Sequence, residues 1–556
     1  MKKISAFGKV YLIVALAALL VRVVFFYYWE FSPLAVFHQL DGLDMKTHLE
    51  LGALCVKGQV LLTPYRLLTG LLPAPWAIVC CQMAMGTLTA LLATWIAFRL
   101  TGAKFYALFA GLATAAYAPA LLYEMMTLQE SLTAFLAAAA VAAVLNARRR
   151  RFANGPVLLA GIALALAATG RPATVPLVGA LTLWLAVYLV RRRRKLRPVM
   201  LTLALGMLLV WGPTGIYNGI KFGWPLPFYG GNIGYLATVG SRASIESWDI
   251  TEDADAATPA AAPRIVSAFI KKVPLLFAPY EIPDNLNFHF ISDKFAPFDI
   301  LPGPGLCWPL GLAGIVLLFW SGQWRRRQGL MLLYFGTLLL LVTAYYPTGR
   351  HRMLLYPALM LLAVYPFYSR PLKRSLPLAA ALLAAGLFFI PANLVRPGDN
   401  FNWALALEKM PNPTEDPAKI YLFNYRNSFS EIDFARLVNY LIKKSRYQEA
   451  SAVVLSHPVK SSFYFYYLGL LELVNNNPSG AEMALSQVRI GDLPEMAASC
   501  YFYYGEALRL GHKNSESLAA YRKALASNPG ENQKRRIELA IGLLNLPAPS
   551  PSPTGP

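Results

Sequence analysis

Asp41, Asp44 and His48 fall within eight residues, in the stretch Leu40-Asp41-Gly42-Leu43-Asp44-Met45-Lys46-Thr47-His48. Two carboxylates three residues apart share one face if the segment is helical. Such a pair suits a general base that deprotonates a nucleophile. With the imidazole of His48 it also suits a divalent metal ion. On composition alone a helix N-cap and a solvated loop account for the same residues. Glu124 and Glu130 bracket a second short stretch, Tyr123-Glu124-Met125-Met126-Thr127-Leu128-Gln129-Glu130. An acid that opens a helix complements the positive end of its dipole, which accounts for Glu130 alone.

The candidate cations are elsewhere in the chain. Arg171 stands by itself between two apolar runs, in Gly170-Arg171-Pro172, and Arg350, His351 and Arg352 close the stretch Tyr345-Tyr346-Pro347-Thr348-Gly349-Arg350-His351-Arg352. A planar guanidinium is well shaped to hold a phosphate, although an arginine at Arg171 could equally anchor a helix end at the membrane interface. Carboxylates and arginines on separate segments suggest an anionic, lipid-linked substrate. The carboxylate would activate an acceptor and the cations would stabilise a departing phosphate. No Walker motif, GxGxxG, HExxH or serine nucleophile elbow competes with that reading.

The elements that must position these residues are membrane helices. The chain has 556 residues, 56% of them hydrophobic and 15% charged, whereas a soluble globular chain carries roughly 25% charged residues. Apolar runs of about 17 to 25 residues are read as spans, and eleven occur: 10–29, 76–98, 105–123, 131–147, 156–170, 173–190, 200–216, 303–320, 329–346, 353–368 and 376–392. The first follows Met1-Lys2-Lys3 and has no small-residue cleavage site, so it reads as an uncleaved span. Five cysteines, without CxxC or Cys/His spacing, give neither a disulfide framework nor a zinc site.

Charge fixes the expected sidedness, because basic residues beside span ends mark the cytoplasmic side. The clusters are Lys2, Lys3 and Lys9; Arg99 and Lys104; Arg148 to Arg151; Arg191 to Arg194 with Lys195 and Arg197; Arg325 to Arg327; and Arg370, Lys373 and Arg374. Together they hold 21 Lys and Arg and no acid, which equals the formal net charge of +21. The surplus is therefore a topology signal with anionic-lipid contacts, not a nucleic-acid surface. Arg148–Arg151 and Arg191–Arg197 on one side require an even number of passes between them, so 156–170 and 173–190 form a hairpin with Arg171 at the outer face. The loops 30–75 and 217–302, the turn holding Arg350 to Arg352, and everything after about 393 then lie outside. Three cations on that side run against the topology trend, which favours a phosphate-binding role for them.

After 392 the composition turns polar, with no further span. Gly469, Ala481 and Leu485, and again Gly505, Tyr521, Ala524 and Pro529, follow the small-residue spacing of a tetratricopeptide helix pair, with a unit length of 36 from Gly469 to Gly505. Ser517 stands where that pattern usually has Ala. A weaker unit begins at Tyr447. Stacks of this kind bind other chains. The final 546–556 segment is proline-rich and reads as disordered.

In the order and sidedness of these segments the chain resembles the polytopic, lipid-linked-sugar glycosyltransferases of the GT-C superfamily, in particular the bacterial branch similar to protein O-mannosyltransferases and aminoarabinose transferases. The resemblance covers about residues 8–392. It rests on Arg22 in the first span, Leu43-Asp44 through His48 in the first loop, Gln129-Glu130 at the start of span four, and Thr169-Gly170-Arg171-Pro172 at the hairpin. Gly231-Asn232, Glu281-Ile282-Pro283-Asp284-Asn285 and Arg350-His351-Arg352 match later family segments. By that resemblance Asp44 would be the catalytic base, Glu130 a second acid near the reaction centre, and Arg171 and Arg352 contacts to the lipid phosphate. Met45 and His48 depart from the family pattern, leaving the metal and the choice between Asp41 and Asp44 open.

The expectation is an all-α protein of the bacterial inner membrane with its N-terminus cytoplasmic: a GT-C-like domain over 1–392, an extracytoplasmic tetratricopeptide-like domain over 393–545 and a disordered tail. Asp44, Asp41 and Glu130 would be catalytic, with Arg171, Arg350, His351, Arg352, Glu124 and His48 on the substrate. The partners would be a polyprenyl-phosphate sugar, membrane lipids, and an acceptor protein or glycan recruited by the repeats. An O-antigen ligase or polymerase-like enzyme would place its key residues in one large late loop. A non-enzymatic membrane-anchored scaffold would use only the repeats. A transporter would hold its ionisable residues at mid-membrane.

Overall fold

The computed structural model describes residues 6–72, 74–226, 277–283, 286–298, 300–325, 327–344, 348–368, 397–428 and 430–544, with short pieces at 275, 377–378 and 380–384. Most of the 217–302 loop, including Gly231-Asn232, most of the expected span 376–392, Tyr345-Tyr346-Pro347 and the 546–556 tail lie outside the described residues. Helix is the only regular secondary structure among the described residues. Contacts divide the chain into two units, Met1–Asp399 and Asn400–Pro556.

The first unit begins with α1 (Ala6–Glu30), α2 (Asp44–Val56), α3 (Pro64–Leu71) and α4 (Pro75–Thr101). It continues with α5 (Lys104–Ala116), α6 (Ala118–Glu124), α7 (Glu130–Arg149), α8 (Asn154–Gly170), α9 (Val175–Arg191) and α10 (Leu196–Phe222). Within the 217–302 segment lies α11 (Phe288–Lys294), and after it come α12 (Pro304–Trp320), α13 (Gly329–Ala344), the one-turn α14 (Gly349–Arg352) and α15 (Tyr356–Tyr368). Among the described residues five helices are long and apolar enough to cross a membrane: those over Phe7–Glu30, Pro75–Thr101, Glu130–Arg149, Pro172–Arg191 and Leu196–Phe222. They leave large apolar side chains outward, such as Leu16 and Leu20 on α1 and Leu205, Leu208 and Ile220 on α10. A water-facing helix would put polar residues there; a hydrocarbon-facing one needs none.

The expected span 105–123 is two helices, α5 and α6, bent by 50° at Tyr117. Pro119 has no N–H for the helical ladder, and the Ala118 N–H is taken by the carbonyl of Pro302. The pair counts as a sixth candidate span only if the bend is crossed as one element. The runs read at 156–170 and 303–320 form apolar helices of 17 residues, about 26 Å long at 1.5 Å per residue. That is the lower end of what crosses a hydrocarbon core.

The second unit follows α16 (Pro397–Lys409) with α17 (Pro417–Ser428), α18 (Glu431–Lys443), α19 (Tyr447–Ser456) and α20 (Ser462–Val474). It ends with α21 (Pro478–Ser486), α22 (Ala497–Leu510), α23 (Asn514–Ala526) and α24 (Glu531–Leu544). Consecutive helices pack on each other, and two pairs meet through a glycine. A Cβ at Gly469 would stand 2.4 Å from Leu485 Cγ, and one at Gly505 would stand 2.6 Å from the Tyr521 ring. These distances are far inside van der Waals contact, so only glycine lets α20 meet α21, and α22 meet α23, this closely. Left-handed residues at Asn476 and His512 close the turns between the paired helices in the same register. Ser517 donates a hydrogen bond to the carbonyl of Gly505 at 2.8 Å. This gives its buried hydroxyl a partner at a position where alanine needs none.

Candidate functional site

Four charged residues from four distant segments meet. Asp44 is the first residue of α2, Glu130 the first of α7, Arg171 follows the last residue of α8, and Arg350 lies in α14. Arg350 donates from Nε to Glu130 Oε1 at 2.6 Å and from Nη1 to Asp44 Oδ2. Arg171 Nη1 donates to the same Glu130 oxygen at 3.0 Å. Glu130 is wholly buried, whereas the Asp44 side chain is 47% exposed. Two carboxylates thus balance two guanidinium groups, with Arg350 bridging the buried acid and the open one.

Local structure explains the placement. Asp44 and Glu130 sit at helix starts, where the dipole favours an anion. Thr127 Oγ1 donates to the carbonyl of Met45 at 3.4 Å, and Gln82 of α4 donates to that of Leu128. The turn before α7 is therefore tied to both α2 and α4. Gln82 also reaches the Tyr65 hydroxyl at 3.4 Å, and Tyr65 packs edge-on against His48 at 5.3 Å. α14 is held from the other side. The Gly349 N–H donates to the carbonyl of Ile282 at 2.8 Å, and the Thr348 hydroxyl pairs with His351 Nδ1 at 2.8 Å.

His48 follows Asp44 by four residues on α2, so the two side chains share a face. Burial, followed by the nearby Arg350 charge, holds its pKa down to about 4, so the ring is neutral near pH 7. Its Nε2 is buried with no hydrogen-bond partner, as is Glu130 Oε2. His351 is likewise held well below the ordinary histidine range, by burial and then by Arg171 and Arg350. Unfilled polar atoms of this kind cost stability in a folded protein. Here two of them flank one ion network.

The remaining sequence candidates are placed elsewhere. Asp41 is not on a helical face with Asp44: it precedes α2 in a turn that passes through Gly42 at φ +80°, a left-handed conformation suited to glycine. Its side chain is 85% exposed and pairs with Lys46. Among the described residues no group of three His, Cys, Asp or Glu side chains converges as a metal site requires. Asp41 and Asp44, whose use as metal ligands with His48 the sequence left open, are parted by the Gly42 turn.

Glu124 does not join Glu130. It forms a buried pair with Arg22 of α1, Nη2 to Oε1 at 2.7 Å, and Arg22 Nη1 also donates to the carbonyls of Ala18 and Ala115. A Cβ at Gly86 of α4 would stand 2.0 Å from Glu124 Oε1, so α4 makes room for the pair.

Arg352 is buried and donates to the carbonyls of Tyr280 at 2.7 Å and Ala278 at 2.8 Å, with its guanidinium 4.0 Å from the centre of the Trp308 ring. It anchors the 278–282 segment, and it is the neighbouring Arg350 that reaches Glu130 and Asp44. Glu281 accepts from Tyr117 Oη at 3.0 Å, which ties the same segment to the α5–α6 bend. Sequence reading missed Tyr65 and Gln82. A glutamine inside the apolar run 76–98 was the available signal for the second; a tyrosine in a loop carries none.

No protein-family model and no curated protein matches this chain.

Proposed function

We propose that the protein is a membrane glycosyltransferase of the GT-C type, moving a sugar from a polyprenyl-phosphate donor to a protein, lipid or glycan acceptor on the extracytoplasmic side of a bacterial inner membrane. What carries the reading is the meeting of Arg171 and Arg350 on one Glu130 oxygen, with Arg350 also holding the exposed Asp44. Asp44 is the exposed base: it takes the proton of the acceptor hydroxyl or amine as that atom attacks the anomeric carbon. The bond from that carbon to the phosphate oxygen breaks, the electron pair leaves with the polyprenyl phosphate, and the configuration inverts.

Arg350 and Arg171 stabilise the departing phosphate. Before the donor binds, Arg350 is engaged by Asp44, so an incoming phosphate competes with that carboxylate and frees it to act as a base. Glu130 holds both guanidinium groups in place. Its unfilled Oε2 and His48 Nε2 are available to a substrate O–H or N–H. In this reading eleven spans carry the site and the tetratricopeptide-like repeats over 393–545 orient the acceptor.

The test is turnover by purified full-length protein with a panel of polyprenyl-phosphate sugars, alongside Asp44→Asn. General-base catalysis contributes roughly 10²- to 10⁴-fold, so the variant should lose at least about a hundredfold in rate with its melting curve unchanged. Equal rates for the two proteins, or no transfer from any donor by folded wild type, would overturn the proposal.

A further inference from the structure

We propose that the far ends of α4 and α7 form a receptor for an anionic phospholipid. By helical rise, Arg149 lies about 28 Å along α7 from Glu130, so this site is separate from the ion network. A cavity of about 470 Å³ there is lined by Arg99, Arg148, Arg149 and Arg327 together with Thr101 and Tyr188, and by no carboxylate. Among the described residues none of the four arginines has an acid within salt-bridge distance. Arg99 Nε is buried without a hydrogen-bond partner. Two of the four are held by stacking, Arg99 at 5.1 Å over Trp95 and Arg148 at 4.5 Å over Tyr188.

Topology and the helix dipole both favour arginines at helix C-termini. Neither explains four guanidinium groups converging on one cavity without a counter-charge. A phosphate supplies that charge, and a pair of its oxygens accepts the two parallel N–H bonds of a guanidinium fork.

The class of phosphate follows from what adjoins it. A second cavity, of about 510 Å³, lies between the same two helices and α1, lined by Leu88, Leu92 and Trp95 of α4 and by Phe135, Ala139 and Asn146 of α7. On α4 the positions 88, 92, 95 and 99 form one helical stripe, as do 135, 139, 142, 146 and 149 on α7. The two cavities therefore lie end to end along one face. Trp95 lines the apolar cavity while the arginine stacked on it lines the basic one. A soluble anion has no use for the apolar cavity; an acyl chain continuing from a phosphate headgroup fills it.

The experiment measures binding rather than turnover, so it does not depend on the transferase reading. Full-length protein in detergent is titrated with a fluorescent phosphatidylglycerol, with a phosphatidylcholine of the same acyl chains, and with inorganic phosphate. Phosphatidylglycerol should bind saturably and tightest. Each arginine near an anionic lipid contributes about fivefold, the affinity equivalent of about 1 kcal/mol. Arg99→Gln with Arg149→Gln should therefore weaken phosphatidylglycerol by about 25-fold.

Ala139→Trp and Leu92→Trp place a ring in the apolar cavity at half-buried positions. Each should weaken the lipid and leave inorganic phosphate unchanged, with gel-filtration profile and helical circular dichroism confirming the fold. Wild-type affinity in the arginine double variant would overturn the proposal. So would inorganic phosphate binding as tightly as the lipid, or indifference of folded tryptophan variants.

Discussion

Arg350 and Glu130, 220 positions apart in the chain, meet at 2.6 Å, and the same Glu130 oxygen holds Arg171 at 3.0 Å. One buried carboxylate thereby fixes two cations that the sequence places on opposite sides of the long 217–302 loop. The half-exposed Asp44 shares Arg350 and completes the balance.

Removing that carboxylate takes from the two guanidinium groups the acid they share. Breaking a buried pair by deleting one partner costs about 3–5 kcal/mol. Glu130→Gln should accordingly lower the stability of the purified protein by an amount in that range in a thermal or denaturant melt. A change below about 1 kcal/mol would place the carboxylate in contact with solvent, where ion pairs contribute that little.

The Arg22–Glu124 pair separates structural from functional acids. Each single variant, Arg22→Met or Glu124→Met, leaves a buried charge and should cost about 3–5 kcal/mol, whereas the double variant should recover most of it because apolar replacement of a whole buried pair is often neutral or stabilising. A double-mutant cycle on melting temperatures measures the coupling. Turnover that survives in the folded double variant would mark Glu124 as structural.

His48 gives the pH dependence a sign. Its folded pKa of about 4 lies below the ordinary value of 6.5, so in this range the unfolded chain binds the proton first. The stability it contributes is complete above pH 6.5 and is lost as pH falls from there toward 4. His48→Gln should flatten that limb of the stability curve relative to wild type, with the two curves parallel above pH 7. Parallel curves down to pH 4 would mean the ring titrates alike in both states.

In the second unit, Gly505→Val would drive its side chain into the Tyr521 ring, since even a Cβ would stand 2.6 Å away. Overpacking of this kind costs about 1–3 kcal/mol. Hydrogen exchange in the full-length protein should show faster opening of α22, α23 and α24, whose shared core includes Phe502, Tyr521 and Ile537, while α1 and α4 exchange as in wild type. Uniformly unchanged exchange would contradict the close packing of α22 on α23.

Much of this architecture was legible residue by residue. The apolar runs near 10–29, 76–98, 131–147 and 200–216 become helices of spanning length because burying unpaired backbone in hydrocarbon leaves helix as the local solution. The glycines at 469 and 505 were legible as close-packing positions because the contact they permit lies between consecutive helices. The bend at Tyr117 was legible only in part: Pro119 marks a weak point in the 105–123 run, but the acceptor that the Ala118 N–H finds, Pro302, lies far along the chain.

The sequence by itself determined which residues carry charge beside apolar segments, and so produced Asp44, Glu130, Arg171 and Arg350 as candidates. It could not choose among near neighbours. Asp41 against Asp44, Glu124 against Glu130, and Arg352 against Arg350 are each of one type and a few residues apart. Tertiary structure parts each pair by contact: the Gly42 turn leaves Asp41 with Lys46, Arg22 pairs with Glu124, and two carbonyls of the 278–282 segment take Arg352, while Asp44, Glu130 and Arg350 join one network. For Glu124 and Arg352 the physical reason is that a buried charge takes the partner packing brings within about 3 Å, and those partners lie 102 and 72 to 74 residues away in the chain; for the exposed Asp41 it is the turn at Gly42 that parts it from Asp44.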